Sequence, residues 1–494
     1  MTIPQHIRLA DETGQTKTVS ADKKHFLLLR EGQGDLFLGL GPDPTTAAEL
    51  SPDRDGVYLE CPQFISAMPT GWEQNIPSGL RKATPEDIPS LKQKRIWMYK
   101  PGLRLFPSFW ARVLADLRLE SPRPGQVPEN RLIFFAADKN GLLTPELCRA
   151  FKKEGMEVYL LPPDISPPDL ANLLNRVSPA HFISINFRGF DPLGENPALL
   201  NRAGVRASTW CVDNPGHILT GIKTRAWTQT NIFVTDHWFI PRLKELGAKS
   251  VYHLPLAAAP ELFFPKAQVP EHKFDFLYVG RFSFPEQQKF FSGLNPEPKL
   301  EKEAARIIQI GKRPDFAWWM NKTGAKLWPG SQVRKAGAGA EAGTRMWRKT
   351  VLGHLDQTRE LTIIGDRDWA ELDLSGQLLP PVDYYSRLPD MYASAGCTLN
   401  LTNMLMPAGL TQRHFDVWVA GGFLLTDHTP GLDIFPEELT AENTFDSLRS
   451  LDGLINKLHS DPDLKKDLAA GFCREIAAKH TYRQRVQTIL ERAE

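Results

Sequence analysis

Asp213, in the run TWCVDNPGHI, stands where an apolar stretch gives way to an Asn-Pro turn. A carboxylate there can take a proton from an acceptor hydroxyl, or it can accept the backbone N–H bonds that close the turn. His217 in the same run, and the pair Asp236-His237 after NIFVT, compete for that role. Capping is the simpler job for each taken singly. Together, polar groups at the ends of successive apolar runs point to a reactive cleft.

The stretch GLTQRHFDVWVAGGFLLTD (409–427) offers a different chemistry. Gly409 permits close backbone approach, Thr411 suits a helix N-cap, and Arg413 falls in the first helical turn, with Phe415, Trp418 and Val419 as the inward stripe. Gly421 and Gly422 stop the helix before the buried strand FLLT. A helix N-terminus with an Arg beside it can hold an anion such as a diphosphate, and it can equally be a capped core helix with a solvated Arg.

Gly280, which ends the strand FDFLYV, and Arg281 after it could face a pyrophosphate, although many α/β turns carry Gly for steric reasons. Asp366-Arg367-Asp368 fits a DxD metal-binding pattern, and a surface cluster of ion pairs explains it more simply. Glu437 and Glu438, behind Pro436, could accept hydrogen bonds from sugar hydroxyls or could be the acidic first turn of a helix.

The elements that must position these groups form two series. RLIFFAAD (131–138), EVYLLPP (157–163), HFISINF (181–187), RASTWCVD (206–213), NIFVTD (231–236) and SVYHLPLA (250–257) alternate with helical spacers such as 143–156, which predicts a parallel sheet. FDFLYVG (274–280), ELTIIGD (360–366), CTLNLT (397–402) and FLLTD (423–427) predict a second sheet, joined to the first by the proline-rich connection 260–273. Ligands of such domains bind at the strand C-termini, in the cleft between them. Before them, residues 1–125 carry the short β-like runs FLLL, DLFLGL and GVYLE, a helix is possible within 95–119, and 121–130 reads as a linker. The long excursion 282–359 contains AGAGAEAG, which reads as flexible, among basic residues of a solvated loop, or alternatively of a phosphate-gripping lid.

Composition bounds the function classes. A net charge of +1 gives no global reason to expect nucleic acid or membrane as partner. No apolar run approaches ~18–20 residues, so no membrane span is expected and a cytoplasmic location is the default. The 5 cysteines are widely spaced, without metal-like pairing, and are expected to be reduced.

FLYVGR, LTIIGDRDW, the run from YYSRLPDMYASAGCTLNLTNM into GLTQRHFDVWVAGGFLLTD, and the closing HTYRQRVQTIL together resemble the CgeB-like glycosyltransferases. Their C-terminal half is a group-1 type glycosyltransferase domain in the GT-B architecture. The resemblance covers about residues 130–490. It implies an α/β, GT-B-like fold: two Rossmann-type parallel-sheet domains facing a cleft, with a small β-rich N-terminal extension. The divisions are the extension at 1–125, an acceptor domain at 131–260, a nucleotide-sugar donor domain at 274–465, and a C-terminal helix at 466–494 that crosses back to the acceptor domain.

By the same resemblance Gly280 and Arg281 face the donor phosphates, Tyr384, Tyr385 and Asn400 line the nucleotide cleft, and Gly409, Leu410, Thr411 and Arg413 clamp the diphosphate. The implied reaction transfers a sugar from a nucleotide-diphosphate donor to a hydroxyl on a glycan, protein or small molecule. No cofactor or metal is expected, Asp213 is the candidate base, and Glu437 joins the donor side. The paired glutamates of many retaining relatives are absent, since position 445 is Phe. A nucleotide-sugar epimerase and a non-catalytic nucleotide- or sugar-binding regulator are the alternatives on the same architecture.

Overall fold

The computed structural model describes residues 6–51, 56–120, 129–265 and 273–493. Most of the expected linker 121–130 and residues 266–272 of the connection lie outside the described residues. No described helix is long and apolar enough to cross a membrane.

Strands β1 (Glu129–Ala136), β2 (Glu157–Leu161), β3 (Pro179–Ile185), β4 (Arg206–Cys211), β5 (Asn231–Val234) and β6 (Ser250–His253) form a sheet in the order β6-β5-β4-β3-β1-β2. Every pairing is parallel. Both faces are covered, which is why Ile133, Phe134 and Phe135 are consecutive and all buried. The second sheet holds β7 (Phe274–Val279), β8 (Leu361–Ile364), β9 (Gln377–Leu379), β10 (Ala395–Asn400), β11 (Leu424–Asp427) and β12 (Thr444–Phe445), ordered β9-β8-β7-β10-β11-β12 and again parallel. The strand order reverses between β1 and β3 in the first sheet and between β7 and β10 in the second. Such reversals open a crevice at the strand C-termini where Rossmann-like domains bind ligands.

The N-terminal module has a hairpin, His6–Ala10 with Thr16–Ser20, and a five-stranded sheet with its own core. It ends in the helices Lys100–Leu105 and Pro107–Arg118. Asp116 accepts a 2.6 Å bond from Arg202 Nε, and Asn175 donates to Arg118 O at 3.0 Å, so this module is tied to the first sheet domain.

Helix α1 (Thr144–Lys153) follows β1. The excursion differs from its expectation: AGAGAEAG is part of a 24-residue helix, α2 (Val333–Asp356), and Ala336 through Glu341 are buried. The glycines are there for contact rather than flexibility. A Cβ at Gly337 would stand 2.0 Å from His217 Nε2, and one at Gly339 would stand 2.2 Å from the Trp319 ring. Removing the Cβ lets these rings lie directly on the helix backbone. Two of the basic residues are likewise engaged: Lys322 pairs with Glu303 at 2.5 Å, and Arg348 bonds the carbonyls of Arg281 and Phe282.

Helix α3 (Arg413–Val419) connects β10 to β11 and buries Phe415 and Trp418, and Gly421 follows it with a φ of +78°. The last helix, α4 (Tyr482–Ala493), returns to the first domain. Arg483 Nε donates to Glu154 at 2.6 Å and Arg485 Nε to Pro255 O at 2.7 Å.

Candidate active site

Arg413 is planted where the strand order of the second sheet reverses. Its Nε donates to Asn400 Oδ1 at 2.8 Å, at the end of β10, and its Nη1 donates to the carbonyl of Val279, at the end of β7. A guanidinium has five N–H groups, and these bonds use two, so among the described residues three remain for a ligand. The charge is therefore held in the crevice with donors to spare. α3 is only seven residues long, so the full charge of Arg413 outweighs the fractional charge of the helix dipole as the anion-attracting feature.

Asn400 is fully buried and does not line a cleft, which corrects the role implied by the resemblance. Its Oδ1 accepts from Arg413 and from Thr411 Oγ1 at 2.9 Å, while its Nδ2 donates to Thr402 at 3.1 Å and Thr426 at 3.0 Å. With every lone pair and proton used, it is a fixed anchor for Arg413. Thr411 is not the N-cap, a position that falls to Gln412. His414 instead ties the turn together, its Nδ1 3.0 Å from Thr411 N and 3.2 Å from Thr411 O and its Nε2 3.0 Å from Thr426 Oγ1. Burial lowers the His414 pKa to about 3, so it stays neutral. Gly409 and Leu410 are also buried, beneath this turn.

The turn after β7 is held from three sides. Trp369 Nε1 donates to Gly280 O at 2.9 Å, Asp366 accepts from Phe282 N at 3.1 Å, and Arg348 Nη1 reaches Phe282 O at 3.0 Å. A side chain at Gly280 would meet Arg413 Nη1 at 3.1 Å. The Arg281 side chain is exposed beside it. Asp366 thus has a backbone to hold, and neither it nor Asp368 forms an ion pair among the described residues. Arg348 was invisible to motif reading because it lies 67 residues from Arg281. Only its place on a helix beside the sheet gives it this function.

On the first domain, Asp213 does not cap the turn. Asn214 does, accepting from Gly216 N at 2.9 Å and His217 N at 3.3 Å, while its Nδ2 crosses to Leu405 O of the second domain at 2.9 Å. Asp213 is exposed and accepts from Asn186 Nδ2 at 2.7 Å. Desolvation on its inner side raises its carboxyl pKa above the ordinary value, against the lowering effects of the Asn186 bond and the Arg188 charge. Asn186 and Phe187 have φ of +56° and +58°, a left-handed pair without glycine. Such strain persists where surrounding structure over-determines it. His217 is unavailable as a base: its ring is packed against Phe290, Phe291 and Phe316, and burial lowers its pKa to about 3. Asp236 is fully buried, accepting from Trp238 N at 2.8 Å and, across the domains, from Ala408 N at 2.9 Å. His237 faces His253, with ring centroids 5.3 Å apart.

Tyr385 ties the domains together, and Tyr384 beside it braces α3. Tyr385 OH lies 2.9 Å from both oxygens of Glu146 on α1, and Tyr384 OH donates to Asp416 on α3. Gln412 bonds Asp416 Oδ1 and Ala257 O, each at 2.8 Å. Desolvation pushes the Asp416 carboxyl up to about 7 and raises that of Glu146. Glu437 and Glu438 are exposed in the first turn of the helix Glu437–Thr440, without side-chain bonds among the described residues.

Fold and site together define a protein with two Rossmann-type domains behind an N-terminal module, and with an arginine fixed at the ligand end of its second Rossmann-type sheet. A family model described as glycosyl transferase-like matches residues 345–491, which include most of that sheet and Arg413. No curated protein matches the chain. Among solved structures, an α-glucosyltransferase in complex with UDP-glucose and DNA containing an abasic site is 12% identical, with a TM-score of 0.45 over 73% of this chain and 98% of that one. The Anabaena protein Alr3699/HepE in complex with UDP-glucose is 10% identical, with a TM-score of 0.44 over the same shares. A UDP-forming α,α-trehalose-phosphate synthase from Burkholderia xenovorans is 10% identical, with a TM-score of 0.38 over 94% of this chain and 98% of that one.

Proposed function

We propose that this protein is a CgeB-like, GT-B-type hexosyltransferase of the cytoplasm, moving a sugar from a nucleotide-diphosphate donor to a hydroxyl acceptor without a metal ion. The observation that carries the reading is Arg413, held across β7 and β10 with free N–H groups, inside the stretch matched by the glycosyl transferase-like model. In the reaction a bond forms between the acceptor oxygen and the sugar anomeric carbon as the bond from that carbon to the diphosphate oxygen breaks. The electron pair leaves on the diphosphate, where Arg413 meets the growing charge, as a divalent ion does in other enzymes. The acceptor proton passes to Asp213, whose raised pKa suits a base better than an ordinary carboxylate.

Acceptor-dependent nucleotide release, measured with UDP-, GDP- and TDP-sugars, tests the reading. Release that requires acceptor supports transfer. Epimerised donor without acceptor, or binding without turnover, would replace it by an epimerase or a regulator.

A further inference from the structure

Away from Arg413, cations gather where three parts of the chain meet. Thr220, 5% exposed, ends the short helix Pro215–Leu219 that starts beside Asp213. Its carbonyl accepts from Lys223 Nζ at 2.7 Å, and its hydroxyl accepts from Arg334 Nη2 at 3.0 Å. Lys223 belongs to the first domain and Arg334 to α2 of the excursion, so the domains bring two like charges to one threonine. Lys17, from the N-terminal hairpin, adds a third charge close enough to help lower the Lys223 pKa, after desolvation and Arg334. Arg225 lies two residues beyond Lys223, its guanidinium 5.4 Å over the Trp328 ring.

The acids at hand do not neutralise this group. Asp11 stands 4.0 Å from Lys17 but also accepts from Thr13 and Gln15, and Glu12 is committed to the N–H and hydroxyl of Ser108 at 2.9 and 2.7 Å. No carboxylate lies within 4.0 Å of Lys223, Arg225 or Arg334 among the described residues. Arg334 is further fixed by the Phe290 ring, whose centroid is 4.2 Å from its guanidinium carbon, and its buried Nε has no hydrogen-bond partner among the described residues. Two cations bonded to one threonine are within roughly 9 Å of each other, the sum of two hydrogen bonds and the residue between them. At that separation they repel, and the repulsion is relieved when an anion enters.

We propose that the Thr220 junction is an anion site that takes a phosphate group carried by the sugar acceptor. The proposal rests on the transfer reading for its connection to catalysis, and on its own residues for the binding of phosphate. A planar guanidinium and a lysine point charge together match the oxygens and double charge of a phosphomonoester. Asp213 and Thr220 flank the short helix Pro215–Leu219, and about five residues of helical rise plus the flanking residues put them on the order of 10 Å apart. That is the span of a phosphorylated small molecule, with its phosphate at Thr220 and a hydroxyl at Asp213.

Thermal melting of the full chain in inorganic phosphate, at constant ionic strength, tests the site. Wild type is expected to gain about 2 °C or more at saturation. Lys223→Glu changes an exposed side chain, so it should fold. It is expected to melt no lower than wild type without phosphate, because the new carboxylate faces Arg334, and to lose the phosphate response. Arg334→Gln should lose it as well, whereas Arg413→Ala should keep it. A hexose monophosphate should compete with inorganic phosphate, and a short single-stranded oligonucleotide should not.

No response in wild type, an undiminished response in Lys223→Glu, or competition by the oligonucleotide alone would overturn the proposal. Loss in Arg413→Ala with retention in Lys223→Glu would also overturn it, by sending phosphate to the donor clamp, and would leave the transfer reading standing. Loss in Lys223→Glu from a protein that binds no nucleotide sugar would uphold the anion site while the transfer reading falls.

Discussion

The 2.8 Å bond from Arg413 Nε to Asn400 Oδ1 fixes a cation at the point where the strand order of the second sheet turns back on itself. Asn400 is fully buried and also holds Thr411, so the guanidinium is oriented before any ligand arrives. An oriented donor loses little further freedom on binding and meets charge as it develops.

The base assignment makes a kinetic prediction. Asp213→Asn should lower kcat by about 100-fold or more while donor affinity changes little. Asn186→Gly keeps the left-handed φ of +56° accessible but removes the amide that lowers the Asp213 pKa. The ascending limb of its pH–rate profile should therefore move to higher pH than in wild type, and a limb that does not move would detach Asp213 from the proton transfer.

Asp416 gives the domain crossing a pH signature. Its folded-state pKa of about 7 exceeds the ordinary carboxylate value, so the native chain keeps a proton that the unfolded chain releases. This contribution falls as pH rises from about 4 to 7 and stays lost above that, a cost on the order of a few kcal/mol. Asp416→Asn should be more stable than wild type at pH 8 relative to pH 4, as measured by denaturant unfolding. An identical pH dependence in both proteins would contradict the assignment.

Two glycines of α2 should respond with opposite signs. Gly353 has open space around it, so Gly353→Ala should stabilise by about 0.5–1 kcal/mol through helix propensity. Gly337→Ala gains the same propensity but drives a methyl onto the His217 ring, and overpacking of about 1–3 kcal/mol should win. Urea unfolding of both variants decides it.

If Arg413 meets the developing charge on the diphosphate, as proposed, transfer should proceed in excess EDTA. Loss of activity in EDTA, restored by Mg²⁺ or Mn²⁺, would move attention to Asp366 and Asp368.

Most of the framework was legible because parallel strands covered on both faces read as unbroken apolar runs, as in LIFFA and FLLTD. β9 and β12 were missed, since Gln377–Leu379 and Thr444–Phe445 are only three and two residues long and carry no period. α2 was misread because glycine lowers local helix propensity, while the His217 and Trp319 rings that require it lie elsewhere in the chain. Arg413 was visible as a cation in a first helical turn. Its anchors on Asn400 and Val279, the bracing of the Gly280 turn by Arg348, and the caging of His217 by phenylalanines depend on tertiary placement that no local pattern encodes.

The most direct test compares nucleoside diphosphate with nucleoside in wild type, Arg413→Ala and Arg413→Lys, by calorimetric titration with whichever of UDP, GDP or TDP binds wild type. Because each variant is measured against both ligands, loss of the structural bonds to Asn400 and Val279 cancels from the difference. Arg413→Ala should weaken the diphosphate by at least about tenfold relative to the nucleoside, with Lys recovering only part of the loss. A folded Arg413→Ala that holds both ligands as wild type does would contradict the diphosphate clamp, and with it the donor site at the β7–β10 reversal.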